Sequence, residues 1–193
     1  MKQIYIVLFA TLLLASCNSG QKQAQTSEPE FDKQQEEQTI KALVDEIYKE
    51  VNLRWANDSE GNDYANSLEE LYTTKEWQEV YNQLRSIESE NLKSGNDENV
   101  YFAEGGNVWT MGSFNIPFTT EFKSVEFSND STADVYFILK PAESDNILIK
   151  WEMQKVDGKW LIHNFLQGDE NYTEYVYDYK VHMKEFIENN TGV

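Results

Sequence analysis

The first third of the chain carries hydrophobic residues at helical spacing, with polar residues between them. In residues 37–53 the apolar positions fall on one side of a helix while lysine and glutamate fall on the other, which predicts an amphipathic helix. A helix of this kind needs a sheet or a second helix to cover its apolar side. The apolar positions are Ile40, Leu43, Val44, Ile47 and Val51.

Three further helices are predicted by their starting sequences. In a capping box, a hydroxyl side chain and a carboxylate three residues later bond the free amides at a helix start. Residues 67–70 and 73–76 both have this sequence, and they predict helices over residues 68–72 and 74–89. A similar start at residues 171–174 predicts a last helix, with the residues after Glu188 frayed. The side chains along that helix are Tyr175, Tyr179, His182, Met183, Phe186 and Ile187.

The second half of the chain alternates apolar and polar residues, as half-buried strands do. Residues 132–165 predict three consecutive antiparallel strands. Asp157 and Gly158 separate the last two strands and predict a type I′ hairpin, because both residues tolerate a positive φ. In residues 118–127 the alternation changes parity halfway, which predicts a strand with a β-bulge near Lys123.

The alternation also assigns side chains to the two faces of the sheet. On the last strand, Leu161, His163 and Phe165 are predicted to share one face, opposite Trp160 and Ile162. The apolar faces of the two preceding strands are formed by Val135, Phe137 and Leu139, and by Ile147, Ile149, Trp151 and Met153.

Helices that precede a run of antiparallel strands predict an α+β fold. The β region is expected to begin at residues 100–102, and the N-terminal helices to pack on a curved antiparallel sheet. A C-terminal helix completes the predicted domain. A chain of 193 residues is long enough for one domain with a sizeable core and too short for two.

The N-terminus has the layout of an export signal: Lys2, an apolar run over residues 4–14, and small residues before Cys17. The sequence Leu-Ala-Ser-Cys at residues 14–17 resembles the bacterial lipobox, in which cysteine becomes the first mature residue and carries acyl chains. The resemblance implies a lipid anchor in the cell envelope, with the domain facing the periplasm. The alternative is a plain secretory signal with a cysteine nearby.

Composition supports the lipid anchor and limits the partners. Cys17 is the single cysteine, so it forms no disulfide within the chain. Polar residues dominate from the cysteine to the first helix, so we expect a signal peptide at residues 1–16, a disordered tether at 17–37 and one domain at 38–190. The net charge of −18 becomes −19 once the signal removes Lys2, and it argues against nucleic acid as a partner.

The sequence of residues 156–165 reads Val-Asp-Gly-Lys-Trp-Leu-Ile-His-Asn-Phe. With helices before it, this ending resembles the cystatin-like α+β superfamily, typified by nuclear transport factor two and the polyketide-cyclase-like enzymes. The likeness covers residues 38–168 in the order of elements and implies a cone-shaped fold whose sheet wraps around the helices. Together with the lipobox, the tether and the short helix pair, it resembles small Gram-negative lipoproteins of unknown function.

Four aromatic residues are candidates for binding an apolar ligand in such a cone: Trp77, Tyr81, Trp109 and Trp151. Trp109 lies among glycines, in a kind of loop that often forms the rim of a cleft. Tryptophan and tyrosine at helical spacing are also typical of a packed core, and for the stripe of Trp77 and Tyr81 we favour that interpretation.

The case for catalysis rests on His163 and Asp134, since enzymes of this superfamily use a histidine or carboxylate that faces a pocket. We find no phosphate-binding loop, nucleophile elbow, cofactor motif or cluster of histidine and cysteine. Residues 58–69 approximate a calcium loop, but Asp63 occupies the place where glycine makes the turn. Ser131 lies in a short segment that resembles an acceptor for bacterial O-glycosylation, and a simple turn is the alternative.

Three functions therefore remain open. The first is a membrane-anchored, non-catalytic domain that binds a small apolar ligand or a protein in the periplasm. The second is an interaction or inhibitor module that acts through its acidic surface. The third is a small hydrolase or isomerase of the superfamily that the ending resembles.

Overall fold

The structure is a computed structural model, and it describes residues 31–57, 66–96, 100–102, 108–111, 117–168 and 175–191. The predicted signal peptide, Cys17, most of the tether and residues 58–65 of the calcium-like loop lie outside these residues. In chain order the elements are α1 (Lys33–Asn57), α2 (Leu68–Tyr72), α3 (Lys75–Lys93), β1 (Thr119–Phe127), β2 (Thr132–Lys140), β3 (Ile147–Val156), β4 (Lys159–Gly168), β5 (Tyr175–Asp178) and α4 (Tyr179–Thr191).

Helix α1 begins earlier than its apolar pattern predicts. The Asp32 side chain accepts hydrogen bonds from the backbone amides of Gln34 and Gln35, at 3.0 and 3.2 Å, and so caps the helix. The helix therefore starts at Lys33. Residues 33–37, predicted as the end of the tether, are helical, because a cap rather than an apolar face determines where this helix starts.

The short helix α2 has the predicted bounds and the predicted capping box. Glu70 N donates to Ser67 Oγ at 3.1 Å, and Ser67 N donates to Glu70 Oε2 at 2.9 Å. The second predicted box was placed one residue too early, because Thr74 rather than Thr73 caps α3, by accepting from Trp77 N. Thr73 is instead the C-cap of α2.

The five strands form one antiparallel sheet in the order β1-β2-β3-β4-β5. The predicted hairpin between β3 and β4 is confirmed by positive φ angles of 50° at Asp157 and 79° at Gly158. The predicted bulge in β1 is confirmed by a register shift between Phe122 and Ser124. Residues 100–102 are not a strand, so the prediction that the β region begins there is wrong.

Strand β5 was missed in the sequence, where Tyr175 was assigned to a helix. It pairs with the end of β4 through only three residue pairs, a length too short for a period to be recognised. The last helix begins after it, at Tyr179, where Asp178 Oδ1 accepts from Val181 N at 3.0 Å. The helix continues to Thr191, past the point where fraying was predicted.

A second bulge lies in β4 and overturns one face assignment. Glu152 of β3 pairs with Asn164, whereas Met153 pairs with Ile162, so His163 is the extra residue. The bulge turns Phe165 to the same side as Trp160 and Ile162, and Phe165 is fully buried. The predicted shared face of His163 and Phe165 is therefore wrong.

The core lies between the helices and one face of the sheet, which confirms the predicted α+β architecture. Tyr48 of α1 stacks on Trp151 of β3, with ring centroids 5.9 Å apart. Trp77 of α3 packs on Phe165 of β4 at 4.7 Å. The predicted apolar faces of β2 and β3 are buried, except that Ile147 is half-buried.

Just before the first strand, a side chain of α1 makes the pair of backbone hydrogen bonds that a neighbouring strand would otherwise make. Asn52 Nδ2 donates to the carbonyl oxygen of Phe118, and Phe118 N donates to Asn52 Oδ1, both at 2.7 Å. One amide side chain thus satisfies both backbone groups of Phe118, just before β1 begins.

Candidate functional site

The four aromatic residues predicted to bind a ligand lie in or beside the core. Trp77, Trp109 and Trp151 are at most 1 % exposed, and Tyr81 is half-buried. The three indoles surround Phe165, whose ring centroid is 4.7 Å from Trp77, 5.1 Å from Trp109 and 5.9 Å from Trp151. This packing gives all three indoles a role in holding helices and sheet together, and their role toward a ligand stays a prediction.

Glu69 of α2 interacts with two of the predicted residues, Trp109 and Tyr81. The sequence did not predict this role for Glu69. Trp109 Nε1 donates to Glu69 Oε1 at 2.7 Å, and the Tyr81 hydroxyl is also hydrogen-bonded to this carboxylate. Burial, and then the charge of Glu69, raise the pKa of Tyr81 well above its usual value of 10.0. The carboxylate therefore holds both donors in place, and Tyr81 stays neutral.

Three polar atoms of the core have no hydrogen-bond partner among the described residues: Tyr48 Oη, Trp77 Nε1 and Trp151 Nε1. The desolvation of such a group costs about 1–3 kcal/mol of stability. The rings of Tyr48 and Trp151 offset this cost by the apolar area they bury, which dominates the energetics of aromatic core residues.

An open groove flanks α1 and is formed by described residues. It consists of two cavities, of about 680 and 710 Å³, and we call it the α1 groove. The first section is lined by Glu46, Lys49, Glu50, Asn52, Leu53, Ala56, Tyr72 and Pro117. The second is lined by Glu36, Thr39, Ala42, Leu43, Glu46, Leu71, Tyr72, Lys155, Gly158, Lys159, Trp160 and Leu161.

Exposed apolar side chains give the α1 groove its chemistry. Leu53 is 50 % exposed in the first section and Leu71 is 42 % exposed in the second. Each section has the volume of a typical ligand pocket. The first section exposes mostly apolar surface, whereas the second exposes polar and apolar surface in about equal parts. The groove depends on the contact between α1, α2 and the β3–β4 hairpin, so no local pattern in the sequence predicts it.

One end of the α1 groove is fixed by Glu36 at the start of α1. Its carboxylate accepts from Lys155 Nζ at 2.5 Å and from Trp160 Nε1 at 2.6 Å. Burial opposes ionisation of Glu36, but these two donors outweigh it and lower the pKa of the carboxyl. Charge-assisted bonds of this kind hold the hairpin against α1.

His163, one of the two predicted catalytic candidates, lies where α3, β4 and α4 meet. Lys180 Nζ has only donors, so it donates to His163 Nε2 at 2.8 Å, and the ring proton is on Nδ1. Nδ1 then donates to Thr74 Oγ1 at 3.3 Å. Lys180 also pairs with Glu76 at 2.6 Å. The arrangement joins three elements, and His163 lines neither section of the α1 groove.

The contact of His163 with Lys180 is expected to make the stability of the fold depend on pH. Burial, and then the charge of Lys180, lower the pKa of His163 below its ordinary 6.5. Between the two values the unfolded chain binds more protons, so the His163 contribution is complete above pH 6.5 and is lost as pH falls toward the lowered pKa. The free energy of unfolding, measured with denaturant, should decrease as the pH falls across this range. His163→Asn should abolish this decrease.

The chain has two histidines, so His182→Asn serves as the matched control and should keep the pH dependence due to His163. An NMR titration gives the pKa of each ring separately. A value for His163 above 6.5 would contradict the assignment of its neutral form.

Asp134, the second catalytic candidate, lies on the side of the sheet away from the core. Its Oδ2 pairs with Lys150 Nζ at 2.8 Å, and Lys150 also contacts Glu152 at 3.4 Å. These contacts raise the pKa of Lys150 in spite of its burial. Asp134 does not line the α1 groove. Ser131 lies in the turn before β2, where both its N–H and its hydroxyl donate to Asn129 Oδ1 at 2.8 Å.

Within the described ranges, no group of three or more histidine, cysteine, aspartate or glutamate residues is arranged to hold a metal ion. Comparison of the chain with protein-family models, curated protein sequences and solved structures finds no match. Of the helices that the structure describes, none has the length and apolarity needed to cross a bilayer. Functional conclusions therefore rest on the geometry of this chain.

Proposed function

We propose that this protein is a membrane-anchored, non-catalytic binding domain of the bacterial cell envelope, and that the α1 groove is its binding surface. The observation that carries the proposal is a pair of adjoining cavities, each of ligand size, with leucines left exposed to solvent. Both catalytic candidates are held in contacts elsewhere, which supports a binding role.

The sequence supports the proposed location of the domain in the cell envelope. The lipobox places a single cysteine at the junction of signal and mature chain, and several acyl chains anchor a protein far more strongly than one. The likeness to small Gram-negative lipoproteins with a cystatin-like domain supports a domain that faces the periplasm.

An apolar probe is expected to bind in the α1 groove and to depend on Leu53. We expect the fluorescence of the neutral probe N-phenyl-1-naphthylamine with the folded protein to fall at least several-fold in Leu53→Gln, because the substitution removes apolar area from the first section. The measurement is a titration followed by fluorescence, with NMR shifts of the α1 amides as a second readout.

Leu92→Gln is the matched control. Leu92 is 53 % exposed, close to the 50 % of Leu53, but it lies at the end of α3 and outside both lining sets. The control should bind the probe as the unmodified protein does. Equal binding by all three proteins, or equal loss in both variants, would refute the α1 groove as the binding surface.

A further inference from the structure

Among the described residues, two side chains are common to both sections of the α1 groove. Glu46 and Tyr72 are the residues that line both cavities, and the Tyr72 hydroxyl lies 3.4 Å from Glu46 Oε1. Any occupant that extends from one section into the other must therefore pass this carboxylate and this phenol.

The junction carries a negative charge that the described residues leave unpaired. None of their lysines, arginines or histidines forms an ion pair with Glu46, whereas Glu50 is paired with Arg54 at 2.9 Å. The negative charge also acts on Tyr72. Burial, and then the charges of Glu46 and Glu50, raise the pKa of its hydroxyl. A cation at the junction would donate a charge-assisted hydrogen bond to the Glu46 carboxylate and would be attracted electrostatically by Glu50.

Each lysine of the described lining belongs to one section only, Lys49 to the first, and Lys155 and Lys159 to the second. Lys155 is paired with Glu36 at the far end of the second section. Lys49 and Lys159 are exposed, and no described carboxylate forms an ion pair with either of them. Glu46 is therefore the charged side chain that both sections share among the described residues.

Apolar side chains lie on both sides of the junction. Leu53 is in the first section, and Leu71 and Leu161 are in the second. The lining of α1 runs from Glu36 to Ala56, about 30 Å at the rise of an α-helix. A small ligand fills one section, whereas a stretch of polypeptide is long enough to reach both.

We propose that the α1 groove takes a segment of a partner protein in which one basic side chain lies between two apolar clusters, with the basic group at Glu46 and Tyr72. This inference rests on the proposed function and names the class of its ligand. Charge complementarity favours it, because a chain with a net charge of −18 attracts a basic protein and is repelled by anionic lipid and nucleic acid.

The test uses three synthetic peptides that have leucines at both ends and differ in one central residue, which is lysine, norleucine or glutamate. Fluorescence anisotropy gives the Kd of each for the folded protein. We expect the lysine peptide to bind about tenfold more tightly than the norleucine peptide, and the glutamate peptide to bind most weakly.

Glu46→Gln is expected to weaken the lysine peptide about tenfold while leaving the norleucine peptide unchanged. Glu79→Gln is the matched control, since Glu79 is an exposed helical residue of α3 outside the α1 groove. It should leave all three affinities unchanged. The substitution at Glu46 is exposed to solvent, so the variant is expected to fold, and circular dichroism checks this.

The outcomes separate this inference from the function it rests on. Equal affinity for lysine and norleucine peptides, or tighter binding of the glutamate peptide, overturns the cation at Glu46. Binding of the apolar probe at Leu53 without binding of any peptide overturns the protein partner and leaves a small-ligand groove. Absence of both probe and peptide binding overturns the proposed function as well.

Discussion

Replacing Trp151 with alanine is expected to lower the free energy of unfolding by about 3–5 kcal/mol. The side chain is fully buried, and its ring lies 4.8 Å from that of Phe137 and 5.9 Å from those of Tyr48 and Phe165. Its removal leaves a cavity among aromatic rings that can relax only in part. Urea unfolding followed by circular dichroism measures the loss as a shift in midpoint at constant slope.

Trp151→Phe is the control that distinguishes the contribution of the aromatic ring from that of the polar atom Nε1. It keeps an aromatic ring between α1 and the sheet and removes Nε1, which has no partner among the described residues. We therefore expect a smaller loss than for alanine, because the smaller cavity is partly compensated by removal of an unsatisfied donor. Equal losses in the two variants would show that the aromatic packing is not what Trp151 contributes.

Replacing Cys17 with serine is expected to move the whole protein from the membrane fraction to the soluble fraction of the cell envelope. Serine has no thiol for acylation, so the variant would lack the acyl chains that we propose as the membrane anchor. Fractionation followed by immunoblotting measures the distribution, and mass spectrometry of the mature N-terminus detects the lipid directly.

Ser19→Ala is the matched control for this experiment, since it alters a small polar residue just beyond the lipobox. It should remain in the membrane fraction. An unmodified Cys17 in the mature protein would contradict the anchor and would favour a plain secretory signal.

The parts of the fold that the sequence predicts are those whose cause lies within a few residues. Ser67 and Glu70 are three positions apart, and each satisfies a backbone amide of the other. Asp157 and Gly158 adopt positive φ in a turn that is closed by adjacent residues. The parity change near Lys123 is likewise visible as a break in a short alternation.

The parts that could not be predicted depend on contacts between distant segments. The bulge at His163 is fixed by residues of β3, α3 and α4, so a strict alternation assigns Phe165 to the wrong face. Glu69 meets Trp109 across 40 positions of the chain. The α1 groove requires three elements to be in place, and no local pattern specifies the space between them.

The bulge in β1 has a consequence for how copies of this protein would behave if they are anchored side by side, as we propose. Strand β1 lies at the end of the sheet, and its bulged residue Lys123 pairs with Glu121, which also pairs with Lys140. A kinked strand with charged side chains is a poor template for a second sheet. Lipid anchors would hold many copies in one plane, where such edge-to-edge aggregation is a greater hazard than in solution. The bulge and these ion pairs are expected to oppose pairing of two copies through their β1 strands.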